Sequence, residues 1–392
     1  MSVTEIKQKL TREGLNAIPV KNKDMTIREL RQLCVDFFRF NKTFAWTPDR
    51  ERRFIKSSRT MEEDVLTPGT VYSGFPYAMG TGNCYRLFDY MDENGVVDIT
   101  RASKVWRLFA SQCSIGAYFG WGRVIKSANY DWTQNMVHAN GFLRLGEYTY
   151  PDSLERLGGE NHPRTTDICE ENGREVMYRS YAKLQLGDGL VYYTTAGHVV
   201  MASCDAVVKY LPDGSIDGEE SYITILDQTN KWVEYETAAG DKTLMKANVD
   251  AKWNFTYLFD KHYLPFTFAE FLGTAPVEDT VCRFSYKGDT ITKKDLFSGV
   301  ITCNYGIVDA YAIFTDEEGG ELYRHAVRAI RGGLKEMDFV EYEKEEIINL
   351  NGSMDRVDRW GSFPTVSCKV RLEVQIATGE RLTVYVGKLI VE

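Results

Sequence analysis

The pattern of the chain changes near residue 276, and this change constrains the fold more than any other sequence feature. Beyond it, short runs rich in β-branched and aromatic residues alternate with turns at intervals of roughly ten residues. The predicted strands span 281–286, 297–304, 307–314, 322–329, 346–350, 365–376 and 381–391. Glycine-containing segments at 286–289, 316–319 and 378–380 are typical of hairpin turns. The pattern predicts an all-β sandwich over residues 276–392.

The chain before residue 276 mixes helical and strand patterns. Residues 1–48 form a predicted helical region, in which Thr26 and Glu29 can make a capping box and apolar residues follow at helical spacing as far as Asn41. Residues 49–265 predict a mixed α+β domain. Its predicted elements are helices 103–109 and 113–125 and strands 189–202, 221–229 and 232–236.

Charge and composition narrow the classes of partner. The net charge of -9 argues against nucleic acid, because phosphate binding needs a basic patch. No apolar run reaches the length of a membrane span. The eight cysteines include no Cys-x-x-Cys pair, and His138 and His162, even with Asp131 or Asp167, match no metal-ligand spacing. We expect no cofactor, no metal, no nucleic acid and no membrane span.

A cysteine and a histidine stand in settings that suit nucleophilic catalysis. Cys113 opens the glycine-rich helix 113–125, where the helix dipole favours the thiolate. His198 lies in an apolar strand, from which an imidazole could take the thiol proton and later protonate a leaving amine. Cys84 also precedes a short helical pattern and is a rival nucleophile.

Three motifs, in order along the chain, resemble the NlpC/P60 group of papain-like cysteine peptidases. Residues 72–82 (YSGFPYAMGTG) resemble the Gly-x-Pro-Tyr-x-x-Gly segment of that family. Gln112-Cys113-Ser114 is similar to its Asp-Cys-Ser. Gly187-Asp188, followed by an apolar strand and by Gly197-His198-Val199, resembles its Gly-Asp…His-Val. The resemblance covers about 72–228 and implies a papain-like catalytic domain within 49–265. The strand spacing after residue 276 favours an immunoglobulin-like form of the predicted β-sandwich.

The resemblance also implies the site and the reaction. Cys113 would be the nucleophile and His198 the general base, and a third polar residue on the next strand would orient the imidazole. Asp227 is the first choice for this role because a carboxylate fixes the tautomer, but Gln228 and Thr224 remain alternatives. Residues that would contact substrate are Tyr77, Gln112, Ser114, Gly197 and Gln228.

The substrate class implied by the resemblance is the peptide of bacterial cell walls, cut at an amide bond. Such a protein is expected to be secreted or wall-associated, although the first residues show no apolar signal-peptide core, which leaves a cytoplasmic location open.

The chain departs from the family pattern in three places. Gln112 replaces an acidic residue, Met79 stands where an aromatic residue is common, and residues 129–178 form an insertion. Two alternatives therefore stay open: a non-catalytic protein that binds wall polymer or another protein on a papain-like scaffold, and an acyltransferase with the same cysteine and histidine chemistry.

Overall fold

The structure is a computed structural model of mixed α and β content, with many strands and few helices, as the sequence predicts. It describes residues 13–55, 63–78, 84–102, 111–126, 133–137, 141–150, 164–237, 240–328, 334–338, 359–360 and 364–391. The predicted helix 103–109, the predicted strand 346–350 and the residues Met79, Gly80, Gly82, Asp131, His138 and His162 lie outside this part of the chain.

In the part of the chain that the structure describes, two helices have 17 residues and the others are shorter. The helices are α1 (Ile27–Thr43), α2 (Cys84–Phe88), α3 (Ile99–Ala102), α4 (Cys113–Trp121), α5 (Thr133–Met136), α6 (Thr165–Tyr181), α7 (Phe255–Asp260) and α8 (Lys293–Phe297), with a 3-10 turn at Glu270–Leu272. The capping box predicted for α1 is confirmed: Thr26 accepts from the Glu29 amide, and the Glu29 carboxylate accepts from the Thr26 amide.

Nine strands form a mixed sheet in the order β5-β1-β4-β10-β9-β8-β7-β11-β6. They are β1 (Ala45–Pro48), β4 (Tyr72–Ser73), β5 (Val96–Val97), β6 (Leu143–Arg144), β7 (Gly189–Tyr193), β8 (Gly197–Ala202), β9 (Tyr222–Glu236), β10 (Lys242–Asn254) and β11 (Leu264–Thr267). A separate hairpin joins β2 (Arg52–Ile55) to β3 (Glu63–Leu66). Strand β1 is part of this sheet, so the polypeptide enters it directly after α1.

Helices α1 and α4 pack together on the sheet because α4 carries glycine where they approach. A Cβ added at Gly120 would lie 2.9 Å from the Phe38 Cβ of α1 and 2.7 Å from the Met201 Cε of β8. These distances are shorter than carbon atoms tolerate, so only glycine fits there. The close packing brings the first residue of α4 next to strand β8.

A buried ion pair ties α1 to the turn before β7. Arg31 Nη1 donates to Asp188 Oδ1 at 2.7 Å and to the Leu186 carbonyl at 2.8 Å. Asp188 also accepts from the Gln185 amide and the Thr267 hydroxyl. Because the carboxylate is completely buried, these donors replace its hydration. The Gly-Asp segment thus has a structural use in fixing the hairpin that carries His198.

The second sheet has eight strands and its own apolar core. Six follow the order β13-β19-β18-β14-β15-β17, and β12 and β16 also pair with β14. The strands are β12 (Cys282–Phe284), β13 (Thr290–Thr292), β14 (Val300–Thr315), β15 (Glu321–Arg328), β16 (Leu334–Asp338), β17 (Arg359–Trp360), β18 (Cys368–Ile376) and β19 (Arg381–Ile390). The β-rich pattern predicted after residue 276 is confirmed, whereas the immunoglobulin-like arrangement stays a prediction.

Several predicted elements differ in extent from the observed ones. The predicted strand 189–202 is a hairpin, because the chain turns at 194–196 with the Thr194 amide bonded to the Ala196 carbonyl. The predicted strands 221–229 and 232–236 are one strand, β9, and 297–304 and 307–314 are merged in β14 after helix α8. Helix α4 ends at Trp121 and does not reach Ile125.

A buried ion pair also joins the two β-rich parts. Arg86 of α2 donates from Nη2 to Asp309 Oδ1 of β14 at 2.7 Å, and both side chains are at most 3% exposed. Val308 and Ala377 of the second sheet pack in the core of the first. In the described residues, no helix is long and apolar enough to cross a membrane.

We expect Arg31→Ala to lower the free energy of unfolding by about 3–5 kcal/mol, because it leaves the buried Asp188 carboxylate without its partner. The measurement is denaturant unfolding at neutral pH. Arg28→Ala is the matched control on the same helix: Arg28 pairs with Asp205, both side chains are more than half exposed, and the loss should stay below about 1 kcal/mol. Equal losses in the two variants would contradict the structural use of Asp188.

Candidate active site

Cys113 is the first residue of helix α4. Gln112 is its N-cap, with an extended backbone, and its carbonyl accepts the Gly116 amide at 3.0 Å. The Gln112 side chain makes no cap hydrogen bond to the first turn of α4. The thiol therefore lies where backbone N–H groups favour a negative charge. Cys113 is 5% exposed and is therefore buried.

The residue before Gln112 pairs with the Gly-x-Pro-Tyr-like segment of residues 72–82. The Ala78 amide donates to the Ser111 carbonyl at 3.2 Å, and the Ser111 amide donates to the Pro76 carbonyl at 3.0 Å. The half-buried Tyr77 thus lies beside Ser111, two residues from the thiol. Gly74 begins this path with φ of 61°, and a Cβ there would meet the α1 backbone at 2.7 Å. The geometry brings this motif and Cys113 together.

His198 and Asp227 are hydrogen-bonded. His198 Nε2 is 2.6 Å from Asp227 Oδ1, and the side chains are 23% and 5% exposed. Strands β8 and β9 pair at Met201↔Leu226 and Ala202↔Ile225. These pairs lie after His198 on β8 and directly before Asp227 on β9. With Nε2 engaged by the carboxylate, Nδ1 is the ring nitrogen left for the thiol, the reverse of the serine-protease arrangement.

Asn248 fixes the second oxygen of Asp227, and sequence reasoning missed it. Asn248 lies directly opposite Asp227 on β10, and its Nδ2 donates to Asp227 Oδ2 at 2.9 Å. Each carboxylate oxygen therefore has a partner of its own. The strand register alone creates this contact, so no local sequence signal announces it.

The three side chains polarise each other. Burial by itself raises the pKa of the Cys113 thiol, but the charge and hydrogen bond of His198 and the Val199 amide outweigh it, and the pKa falls below its usual value. Burial lowers the pKa of His198, but Asp227 and Cys113 raise it well above its usual value. The pKa of Asp227 is lowered, because His198 and Asn248 outweigh its burial. The two shifts act together to favour a thiolate beside an imidazolium.

Gln228 lies away from the histidine, so alternation along β9 separates the two triad candidates. It is fully buried, donates from Nε2 to the Phe75 and Lys246 carbonyls at 2.8 Å, and accepts from the Lys42 ammonium. A substrate could not reach it in this arrangement. Asp227, not Gln228, occupies the position of the third residue, while Thr224 bonds to Ser203.

Lys42 is a second residue that sequence reasoning missed. It is 1% exposed, and its ammonium lies under α4, where a Cβ on Gly116 would approach it to 2.6 Å. Burial lowers the pKa of Lys42 to about 7, against the charges of Asp227 and Cys113, which raise it. Its place four residues after Phe38 on the apolar face of α1 was the available signal.

The remaining predicted contacts are crowded. Ser114 is 3% exposed within the first turn of α4. A Cβ on Gly197 would lie 1.7 Å from the Thr133 hydroxyl, so the strand start tolerates no side chain. Gln112 is 8% exposed.

Cys84 also starts a helix, but burial raises its pKa to about 12. The described residues hold no group of three or more metal-ligating side chains.

Comparison with known proteins adds no further assignment: no family model matches the chain, and no curated protein matches its sequence.

We expect iodoacetamide to alkylate Cys113 faster than the half-exposed Cys204 near neutral pH, because the lowered pKa supplies thiolate there. The rate should fall only when the pH drops through the lowered pKa of Cys113. Peptide mass spectrometry after short labelling gives each rate. Preferential labelling of Cys204 would contradict the ion pair.

We expect Asp227→Asn to lower the pKa of His198, because the carboxylate charge raises that pKa. NMR titration of His198 measures it. Asn248→Ala removes a donor but keeps the carboxylate charge, so the pKa of His198 should stay above its usual value. Asn304→Ala removes a similar amide from the second sheet and should leave His198 unchanged.

Proposed function

We propose that the protein is a cysteine peptidase or amidase in which Cys113, His198 and Asp227 form the triad. The observations that carry the proposal are the hydrogen bond between the Asp227 carboxylate and His198, and the opposite pKa shifts by which His198 and the Cys113 thiol at a helix start favour each other's charge. A buried cysteine needs no such base, and a core histidine needs no such carboxylate. Their combination is the arrangement that activates a thiol.

In the proposed reaction, the Cys113 thiolate attacks an amide carbonyl. The backbone N–H of Cys113, at the start of α4, would stabilise the oxyanion, because the first amides of a helix have no partner within it. His198, as imidazolium, would then protonate the departing amine through Nδ1. Water activated by the neutral imidazole would release the acyl group and restore the thiolate.

Asp227 and Asn248 would hold the imidazole during this cycle. The carboxylate accepts from Nε2 and so keeps Nδ1 turned to sulfur, and the Asn248 amide keeps the carboxylate from rotating. Gln112 directly precedes Cys113, and Tyr77 lies beside Ser111, two residues before the thiol. We propose that they line the substrate cleft.

The substrate class follows from the family resemblance. Cell-wall peptides, with an amide bond next to D-glutamate or a diamino acid, are the proposed substrates. The same resemblance underlies the proposed papain-like architecture of the first part, and the spacing of the strands after residue 276 underlies the proposed immunoglobulin-like sandwich of the second. The second sheet would then present the catalytic part to wall polymer.

Digestion of purified wall peptides tests the proposal. Wild type should release new amino groups, and Cys113→Ala should release them at less than about one thousandth of that rate, because the nucleophile is lost. Cys84→Ala is the matched control, since Cys84 is another buried cysteine at the first position of a helix. Equal rates in wild type and Cys113→Ala would remove the thiol from the reaction.

The products distinguish the alternatives that share the fold. A free carboxylate on the acyl fragment indicates hydrolysis, whereas a new amide formed with an added amine indicates acyl transfer. Rapid labelling of Cys113 without turnover of any peptide would favour a binding protein with a retained site.

A further inference from the structure

Away from the candidate active site, two cysteines face each other on neighbouring strands. Cys282 of β12 and Cys303 of β14 are direct partners in an antiparallel pair, and both thiols are free. Cys282 is partly exposed, and Cys303 is 6% exposed. The proposed function uses neither residue.

The backbone hydrogen bonds place this pair at a non-hydrogen-bonded position. The Asn304 amide donates to the Val281 carbonyl, and the Ser285 amide donates to the Val300 carbonyl. Hydrogen-bonded and non-hydrogen-bonded pairs alternate in such a ladder. The Cys282–Cys303 pair, which follows the hydrogen-bonded pair of Val281 and Asn304, is therefore non-hydrogen-bonded. Partners there lie about 4.5 Å apart at Cα, with side chains close together, and this is within the range that a disulfide spans.

The two thiols interact with each other in the reduced state. A hydrogen bond from Cys282 lowers the pKa of Cys303 against the effect of burial. The pKa of Cys282 is raised, first by this bond and then by burial. When the pair loses a proton, the thiolate is therefore favoured at Cys303 and the remaining proton at Cys282.

We propose that Cys282 and Cys303 are a redox modification site that closes to a cross-strand disulfide by exchange with a small disulfide such as oxidised glutathione. The proposal rests on strand register and on the free, adjoining thiols. It is independent of the reaction proposed for Cys113.

The exchange balances in two steps. Cys282, the more exposed thiol, attacks one sulfur of the small disulfide, passes its proton to Cys303 and expels one small thiolate. Cys303 then gives that proton to the released thiolate, attacks the Cys282 sulfur and expels the second small thiolate, which takes a proton from water. Two protein thiols are oxidised to one disulfide, and one small disulfide is reduced to two thiols.

The crosslink would act on a short strand close to the nucleophile helix. Strand β12 has three residues, and the disulfide would hold it on β14 when other contacts open. Burial and then the charge of Cys303 raise the pKa of the Tyr118 hydroxyl on α4. The site therefore lies at the contact between the second sheet and the helix that carries Cys113.

The test uses the full chain with Cys113→Ala, so that the candidate nucleophile cannot react. The protein is equilibrated with oxidised glutathione, alkylated and digested with trypsin without reduction. We expect one linked species that joins peptide 262–283, which contains Cys282, to peptide 295–324, which contains Cys303. Reduction should abolish it and return both alkylatable thiols.

Matched variants make the outcome decisive. Cys303→Ser should leave Cys282 as a stable mixed disulfide with glutathione, whereas Cys204→Ser should form the linked species as the parent does. Recovery of both cysteines as free thiols, or of two separate mixed disulfides in the parent, would overturn the proposal. Linked peptides that involve other cysteines at equal yield would also overturn it.

Discussion

The charge relation between the Cys113 thiol and the His198 imidazole is the interaction on which the account of this protein depends. Burial opposes the charge of each group, and each favours the charged form of the other. Asp227 raises the pKa of His198 most, since its carboxylate bonds to the ring at 2.6 Å and is itself held by Asn248, while its charge also opposes the thiolate of Cys113. Without that carboxylate, burial would favour a neutral thiol and a neutral imidazole, and the helix start alone would supply only a modest bias.

The rest of the first sheet serves to keep this small group in place. Gly120 lets α4 approach α1 and β8, and the Arg31–Asp188 pair fixes the hairpin that carries the histidine. The long ladder between β9 and β10 sets Asn248 opposite Asp227. Under the helix, the buried Lys42 bonds to Gln228, so the residue next to Asp227 is also held. Precise placement thus comes from long-range packing on both sides of the sheet.

Local chemistry could be predicted from the sequence, and register could not. The capping box at Thr26 was predictable because cap and partner are three residues apart. The choice between Asp227 and Gln228 needed the face of β9, and Asn248 needed its pairing with β10. The turn after β7 was missed because Thr194 and Ala196 are not typical turn residues. The break expected near Asn304 is a register irregularity inside one continuous strand.

The most direct measurement of the central claim is the ultraviolet absorbance of the thiolate as a function of pH, taken as the difference between wild type and Cys113→Ala. We expect a thiolate at Cys113 that persists below the usual pKa of cysteine and disappears only under more acidic conditions. We also expect Asp227→Asn to weaken this signal near neutral pH. A difference spectrum that appears only above pH about 9, the range of an unperturbed or buried thiol, would contradict it.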